Sequence, residues 1–164
     1  MIRAAIVTIS DSVVAGTRED RSGAVLRERA ESLGWQVTAH ESVPDEVDRI
    51  AGVLKKLADS GEISLVLTTG GTGVSARDVT PEATRTVIER EIPGLGEAMR
   101  WEGRKITPFA VLSRSMAGTR GRTLIVNLPG SPKGAVESLD AISKLVPHIV
   151  NLIEGRTGHD DVPN

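Results

Sequence analysis

The residues of this chain whose types and spacing suit chemistry on a phosphate are three aspartates, a lysine and a run of glycines, each just beyond a short apolar segment. Gly70-Gly71-Thr72-Gly73 follows Ile63 to Leu67 and Thr68-Thr69, and Asp78 stands five residues further on. Glycines leave no side chain to obstruct a close-approaching ligand, so such a loop can present backbone N–H groups to an anion. A carboxylate beside an anion cradle is unfavourable unless a cation intervenes, and Mg²⁺ takes hard oxygen ligands where it bridges nucleotide phosphates. Asp78 therefore reads either as a metal holder or as the salt-bridge partner of Arg77, Arg85 or another base. Lys133, in Pro129-Gly130-Ser131-Pro132-Lys133-Gly134, reads as a point charge for phosphate or as a solvated lysine. Ser10 and Asp11 end the first apolar run, as site residues or as an Asx turn or helix cap. Asp45 lies between a strand and a helix, where residue type alone favours capping.

Two familiar phosphate patterns are excluded by spacing. Gly71-Thr72-Gly73-Val74-Ser75-Ala76 satisfies the permissive dinucleotide pattern, but Pro81 puts the helix start about eight residues beyond Gly73, whereas that pattern needs its glycines to open the helix directly. A Walker A sequence is absent, and Gly71-Thr72-Gly73 is no nucleophile elbow. His40, His148 and His159 lack metal-ligand spacing and read as surface or packing residues. Trp35 and Trp101 read first as packing, with stacking on an aromatic ligand as the alternative.

The elements that must position these residues alternate strand and helix. Ala4 to Ile9 reads as a strand, followed by a charged loop with Gly16 and a helix from near Ser22 to Leu33, stopped at Gly34. Trp35 to Val43 reads as a second strand. Pro44-Asp45-Glu46 opens a helix whose Val47, Ile50, Ala51, Leu54, Leu57 and Ala58 recur at helical spacing. A third strand precedes the glycine loop, and a helix follows with Thr80 as N-cap and Pro81 at its first position. Residues 94–121 read as a helical segment, a short apolar stretch and a polar, flexible connection. Thr123 to Leu128 is a buried-type strand, and its helix is bent or restarted at Pro147. This alternation predicts an α/β fold: a three-layer, open, mostly parallel sheet with helices on both faces, Rossmann-like. If the sheet is parallel, Asp11, Asp45, Asp78 and Lys133 fall on one edge, outside the carboxyl ends of the strands.

Composition bounds the rest. With 164 residues, the chain suits one domain over 1–156 and a polar tail over 157–164. There is no cysteine, which excludes thiol catalysis, thiolate metal sites and a disulfide framework, and suits the cytoplasm. A net charge of -2 with interspersed signs gives no basic field for nucleic acid or an anionic membrane. The first apolar run is too short for a signal peptide or membrane span.

Taken together and in order, Thr8-Ile9-Ser10-Asp11, Pro44-Asp45-Glu46, Leu67-Thr68-Thr69-Gly70-Gly71-Thr72-Gly73, Arg77-Asp78-Val79-Thr80-Pro81-Glu82-Ala83, Pro93-Gly94-Leu95-Gly96-Glu97-Ala98-Met99-Arg100, Ser113-Arg114 and Asn127-Leu128-Pro129-Gly130-Ser131-Pro132-Lys133 resemble the molybdopterin-binding family of molybdenum cofactor biosynthesis. The chain looks most like its stand-alone bacterial members, which adenylylate molybdopterin with Mg-ATP before molybdate insertion. The resemblance implies catalytic roles for Asp45 and Asp78, with Asp78 toward Mg²⁺ and Asp45 orienting a reactant. It places the pterin near Thr69, Gly70, Gly71, Thr72 and Gly73, with Ser10, Asp11, Gly130, Ser131 and Lys133, and then Ser113 and Arg114, as further substrate contacts. It implies a homotrimer, a hexamer in some members, and a molybdate-insertion protein as partner. Two other readings make different predictions: a non-catalytic molybdopterin carrier, which binds without using ATP, and a nicotinamide-dependent oxidoreductase.

Overall fold

The computed structural model describes residues 1–156, so the expected tail 157–164, with His159, lies outside the described residues. Among the described residues six strands form one sheet: β1 (Arg3–Ile9), β2 (Gln36–Val43), β3 (Leu65–Thr69), β4 (Arg90–Glu91), β5 (Ala117–Arg120) and β6 (Thr123–Leu128), in the spatial order β2-β1-β3-β6-β5-β4. The four strands from β2 to β6 in that order run parallel, while β5 is antiparallel to both β6 and β4. The expected α/β sheet is present, mostly parallel, with helices on both faces.

Strand alternation divides the core. Ile6, Leu65, Leu67, Leu124 and Val126 point to one face, where they pack with Leu26 of α2 (Arg21–Ser32), Met99 of α5 (Pro93–Arg104), Leu139 of α6 (Pro132–Ile142) and Val150 of α7 (Val146–Ile153). Ala5, Val7, Val66 and Ile125 point to the other, against Ile50, Leu54 and Leu57 of α3 (Val47–Asp59) and Ala83 of α4 (Thr80–Arg85). Every residue of β3 is buried, as a central parallel strand covered on both faces requires. Trp35 is core, but Trp101 is 64% exposed and does not pack as expected.

Several boundaries differ from the sequence expectation for local reasons. The charged loop after β1 begins with a one-turn helix, α1 (Asp11–Val14), capped by Ser10, whose Oγ accepts from Val13 N at 3.3 Å. The third strand runs two residues further than Leu67, because Thr68 and Thr69 pair with Asn127 and Leu128. Thr80 is the first residue of α4 instead of its cap, and its hydroxyl donates to Gly70 O at 2.9 Å. The connection expected to be flexible after Ser115 is ordered as β5, a hairpin partner of β6. Pro147 restarts the chain, in the first turn of α7.

The order of strands reverses at β1: the chain leaves it for β2 on one side and returns to β3 on the other. A crevice forms outside the carboxyl ends of strands that diverge in this way. Ser10 and Asp11 end β1, Asp45 follows β2, the glycine loop ends β3 and Pro129 to Gly134 follows β6, so the topology delivers all four expected segments to one edge.

Candidate active site

At that switch point is a cleft of about 440 Å³. Its lining includes Ser10, Thr69, Gly70, Gly71, Asp45, Asp78, Gly130 and Ser131. Gly70 and Gly71 take φ of +106° and +67°, and a Cβ on either would stand 2.2 Å from Ile9 O or Thr80 Oγ1 respectively. Only glycine fits both the backbone conformation and the approach. The loop is fastened on either side: Thr69 Oγ1 donates to Pro129 O at 2.7 Å, and Thr80 N donates to Gly71 O at 3.1 Å.

Asp78 lies over this loop. Its Oδ2 accepts from Ser75 N at 3.0 Å and would be 2.7 Å from a Cβ on Gly73. The salt-bridge alternative for Asp78 does not hold, because Arg77 turns to Asp11, with Nη2 2.7 Å and Nε 3.0 Å from Asp11 Oδ2. Among the described residues Asp78 has no ion-pair partner. Asp45 does not cap its own helix, whose N-cap is Glu46 with no side-chain bond. Instead Asp45 Oδ2 accepts from Asp11 N and Asp11 Oδ1 accepts from Asp45 N, both at 3.0 Å. The exchange joins the ends of β1 and β2 and satisfies a free N–H in the first turn of α1.

The electrostatics separate these acids. Hydrogen bonds from the Arg77 guanidinium hold the Asp11 carboxyl below its usual range, aided by the Asp45 backbone. Asp45 is pushed up, first by desolvation and then by the charges of Asp11 and Asp78, against the opposing Asp11 backbone bond and Arg77 charge. Asp45 and Asp78 thus share a cleft with net repulsion between them, the arrangement that a divalent cation relieves. Among the described residues there is no group of three His or carboxylate side chains able to hold a metal unaided. Two carboxylates completed by substrate phosphates are the usual set for Mg²⁺, so the residues present fit that ion.

The other expected contacts fall in different places. Thr72 is buried and its carbonyl accepts from Arg114 N at 2.8 Å. The Arg114 side chain clamps the loop: Nε donates to Gly73 O at 2.7 Å, Nη2 to Asp78 O at 2.6 Å, and Nη1 pairs with Glu82. This guanidinium holds the Glu82 carboxyl below its usual range. Ser113 lines a neighbouring cavity of about 220 Å³ with Arg100, Thr107 and Phe109, and Ser131 borders both cavities. Lys133 is not brought to the aspartates: its side chain is 80% exposed and its Nζ lies 3.7 Å from Glu137 Oε1. Sequence reasoning missed Thr8 and residues 18–22 in the cleft wall, although Asp20 three residues before Gly23 is a legible helix cap.

Comparison with known proteins gives one consistent result. Residues 5–148 match the family described as "Probable molybdopterin binding domain". The chain is 44% identical over 156 residues to the molybdopterin adenylyltransferase of Helicobacter pylori strain J99, covering 94% of this chain and 89% of that protein. It is 38% identical to the molybdopterin adenylyltransferase of Escherichia coli K12, over 94% of this chain and 86% of the relative. The molybdopterin biosynthesis enzyme MoaB of Thermus thermophilus superposes with a TM-score of 0.89 at 50% identity, over 94% of this chain and 98% of that one. A doubly covered sheet with the glycine loop and aspartates at its switch point, and this likeness across nearly the whole chain, place the protein in the molybdopterin-binding family of molybdenum cofactor biosynthesis.

Proposed function

We propose that this protein is a molybdopterin adenylyltransferase that works in the cleft between β1 and β3. The observation that carries the reading is the pair Asp45 and Asp78 lining one cleft together with Gly70 and Gly71 of the glycine loop. Relatives bearing that activity by name cover the same length of chain. In the reaction, an oxygen of molybdopterin's terminal phosphate attacks the α-phosphorus of ATP. The bond from that phosphorus to the bridging oxygen breaks, giving adenylylated molybdopterin and pyrophosphate. The attacking group is already an anion, so no general base is required; positioning and charge neutralisation carry the rate.

The geometry supports a role for each group. Gly70 and Gly71, in the cleft wall, let the loop backbone pass close to Ile9 O and Thr80 Oγ1, and Arg114 and Thr80 hold that backbone in one shape. Asp78 and Asp45 would hold Mg²⁺, which when bound neutralises phosphate charge. Asp11, fixed by Arg77, holds Asp45 through the paired backbone bonds. Ser10, Gly130 and Ser131 complete the wall. Ser113 is assigned to the adjoining cavity, and Lys133 is left as an outlying charge.

The unit is read as one domain over 1–156 that assembles as a trimer, with a hexamer as the larger form and a molybdate-insertion protein as the recipient of product. The apolar side chains of Trp101, Ile106, Phe109, Val111 and Leu112, all more than half exposed, supply the kind of surface that a subunit interface covers. Among the described residues no helix is long and apolar enough to cross a membrane. The deciding experiment incubates purified protein with molybdopterin and Mg-ATP. Pyrophosphate release above the no-protein control is expected; molybdopterin binding without release would make the protein a carrier.

A further inference from the structure

Besides the glycine loop and the aspartates, the cleft is lined by residues 18–22, a segment with no role in the adenylyl transfer described so far. Its charges are unequally committed. The Arg21 Nε lies 3.7 Å from the Glu19 carboxylate, and Asp20 Oδ2 lies 2.9 Å from His40 Nε2. Arg18 lines the cleft and has no side-chain hydrogen bond or ion pair among the described residues. A cleft that also holds Asp45 and Asp78 repels an anionic ligand, and Arg18 is the cation there with nothing else to neutralise.

The segment is also tied to the rest of the fold at both ends. Thr17 N and Arg18 N both donate to Ser12 O, at 3.0 and 3.2 Å. Two residues later, the Asp20 carboxylate takes three partners: Gly23 N at 2.9 Å, Thr8 Oγ1 at 2.7 Å and His40 Nε2. The space is filled, since a Cβ on Gly23 would stand 2.4 Å from Asp20 Oδ2, 2.5 Å from Thr8 Oγ1 and 2.6 Å from His40 Nε2. His40 and Thr8 come from β2 and β1, so the anchor ties this wall to the sheet that also carries Asp11 and Asp45. Asp20 caps α2 itself, which leaves no vacant helix N-terminus to receive an anion there.

We propose that residues 18–22 form a phosphate-binding wall of the cleft, with Arg18 as its cation and His40, acting through Asp20, as its positioning residue. The ligand is a phosphate group of one of the two substrates. The inference rests on the adenylyl-transfer reading of the same cleft, and its test separates the two.

Pyrophosphate release is measured with each substrate varied while the other saturates. Arg18→Ala should raise KM for ATP or for molybdopterin roughly threefold to tenfold with kcat little changed, as for a lost charge-assisted contact to a ground-state phosphate. The substrate whose KM moves identifies the phosphate, and Arg18→Lys should recover part of the loss. His40→Ala should raise the same KM, and adding Arg18→Ala to it should change little more, because both act on one wall. Additive effects would overturn the positioning role. KM values for both substrates unchanged in Arg18→Ala would overturn the wall, and the Arg18 side chain is exposed and makes no hydrogen bond or ion pair among the described residues, so that variant tests it without endangering the fold. A wild-type protein that releases no pyrophosphate would instead overturn the activity on which the inference rests.

Discussion

The loop after β3 and the loop after β6 leave adjacent parallel strands and are both rich in glycine, yet they are held in different ways. Pro129 to Gly134 is fixed at Pro129 O by Thr69 and from there on locally: Ser131 caps α6 by accepting from Gly134 N at 3.1 Å, and the chain turns directly into helix. Residues 70–78 are fixed from a distance. Arg114, some forty residues downstream, bonds Gly73 O and Asp78 O, and Thr80 bonds Gly70 O and Gly71 O. A local cap makes a loop robust but gives it one geometry, that of a helix start. Tertiary clamps allow a long loop to hold positive-φ backbone and place Asp78 over it.

The largest effect expected from this contrast comes from Gly71→Ala. Its Cβ would meet Thr80 Oγ1 in a left-handed backbone, for a loss of about 2 kcal/mol or more and of turnover. Gly134→Ala should stay within about 1 kcal/mol of the parent, because helix propensity offsets the disturbed cap. Thermal unfolding of the two variants measures the difference, and equal losses would break the comparison.

Next in size is the contrast of charges on the two loops. Asp78→Asn should lower turnover about a hundredfold while leaving molybdopterin binding nearly intact. Lys133→Ala, removing an exposed ammonium, should change turnover less than about threefold. Steady-state rates beside a binding titration decide this, and comparable losses of binding and turnover in Asp78→Asn would contradict its role. Arg114→Lys follows: an ammonium cannot span two carbonyls and a carboxylate, so about 1 to 2 kcal/mol of stability and roughly tenfold in rate should go. Wild-type kinetics in that variant would show that the clamp is dispensable.

The smallest effect is on stability and depends on pH. Asp45 has a folded value raised above its ordinary 3.8, mainly by desolvation, so its contribution favours folding below that value and is lost as pH rises through the folded value. Asp45→Asn should therefore be at least as stable as the parent at neutral pH, with the advantage shrinking as pH falls toward 3.8, although turnover is lost. Asp11, held low chiefly by Arg77, works in the opposite sense: its stabilisation is present above the ordinary value and is lost as pH falls through the folded one. A melting series with pH on both proteins tests the sign.

Much of the fold was legible because its signals are local. The helical spacing of Ile50, Leu54 and Leu57, the continuous apolar run into β3 and the stop at Gly34 each depend on a few neighbouring residues. The short elements were not legible. β5 is a strand because β6 offers an edge to pair with, and β4 because β5 extends that edge; nothing within Ala117–Arg120 announces those partners. Within the site, sequence position put Asp11, Asp45 and Asp78 at strand ends, but also put Lys133 there. At the start of α6 a side chain can point along the helix surface to Glu137 as well as toward the cleft, and spacing does not choose.

By itself, then, the sequence determined the alternation of strand and helix, the glycine loop, the family and the aspartates at the strand ends, because each is written in adjacent residues or in their order. Tertiary structure alone decided who pairs with whom. Arg77 neutralises Asp11 and leaves Asp78 free, Asp45 exchanges backbone bonds with Asp11 thirty-four residues away, and Arg114 closes on the glycine loop. The physical reason is that an ion pair or a hydrogen bond is set by separation in space. Only the packing of β1, β2 and β3 side by side brings Asp11, Asp45 and Arg77 to about 3 Å, and the pairing of β3, β6 and β5 brings Arg114 to the glycine loop.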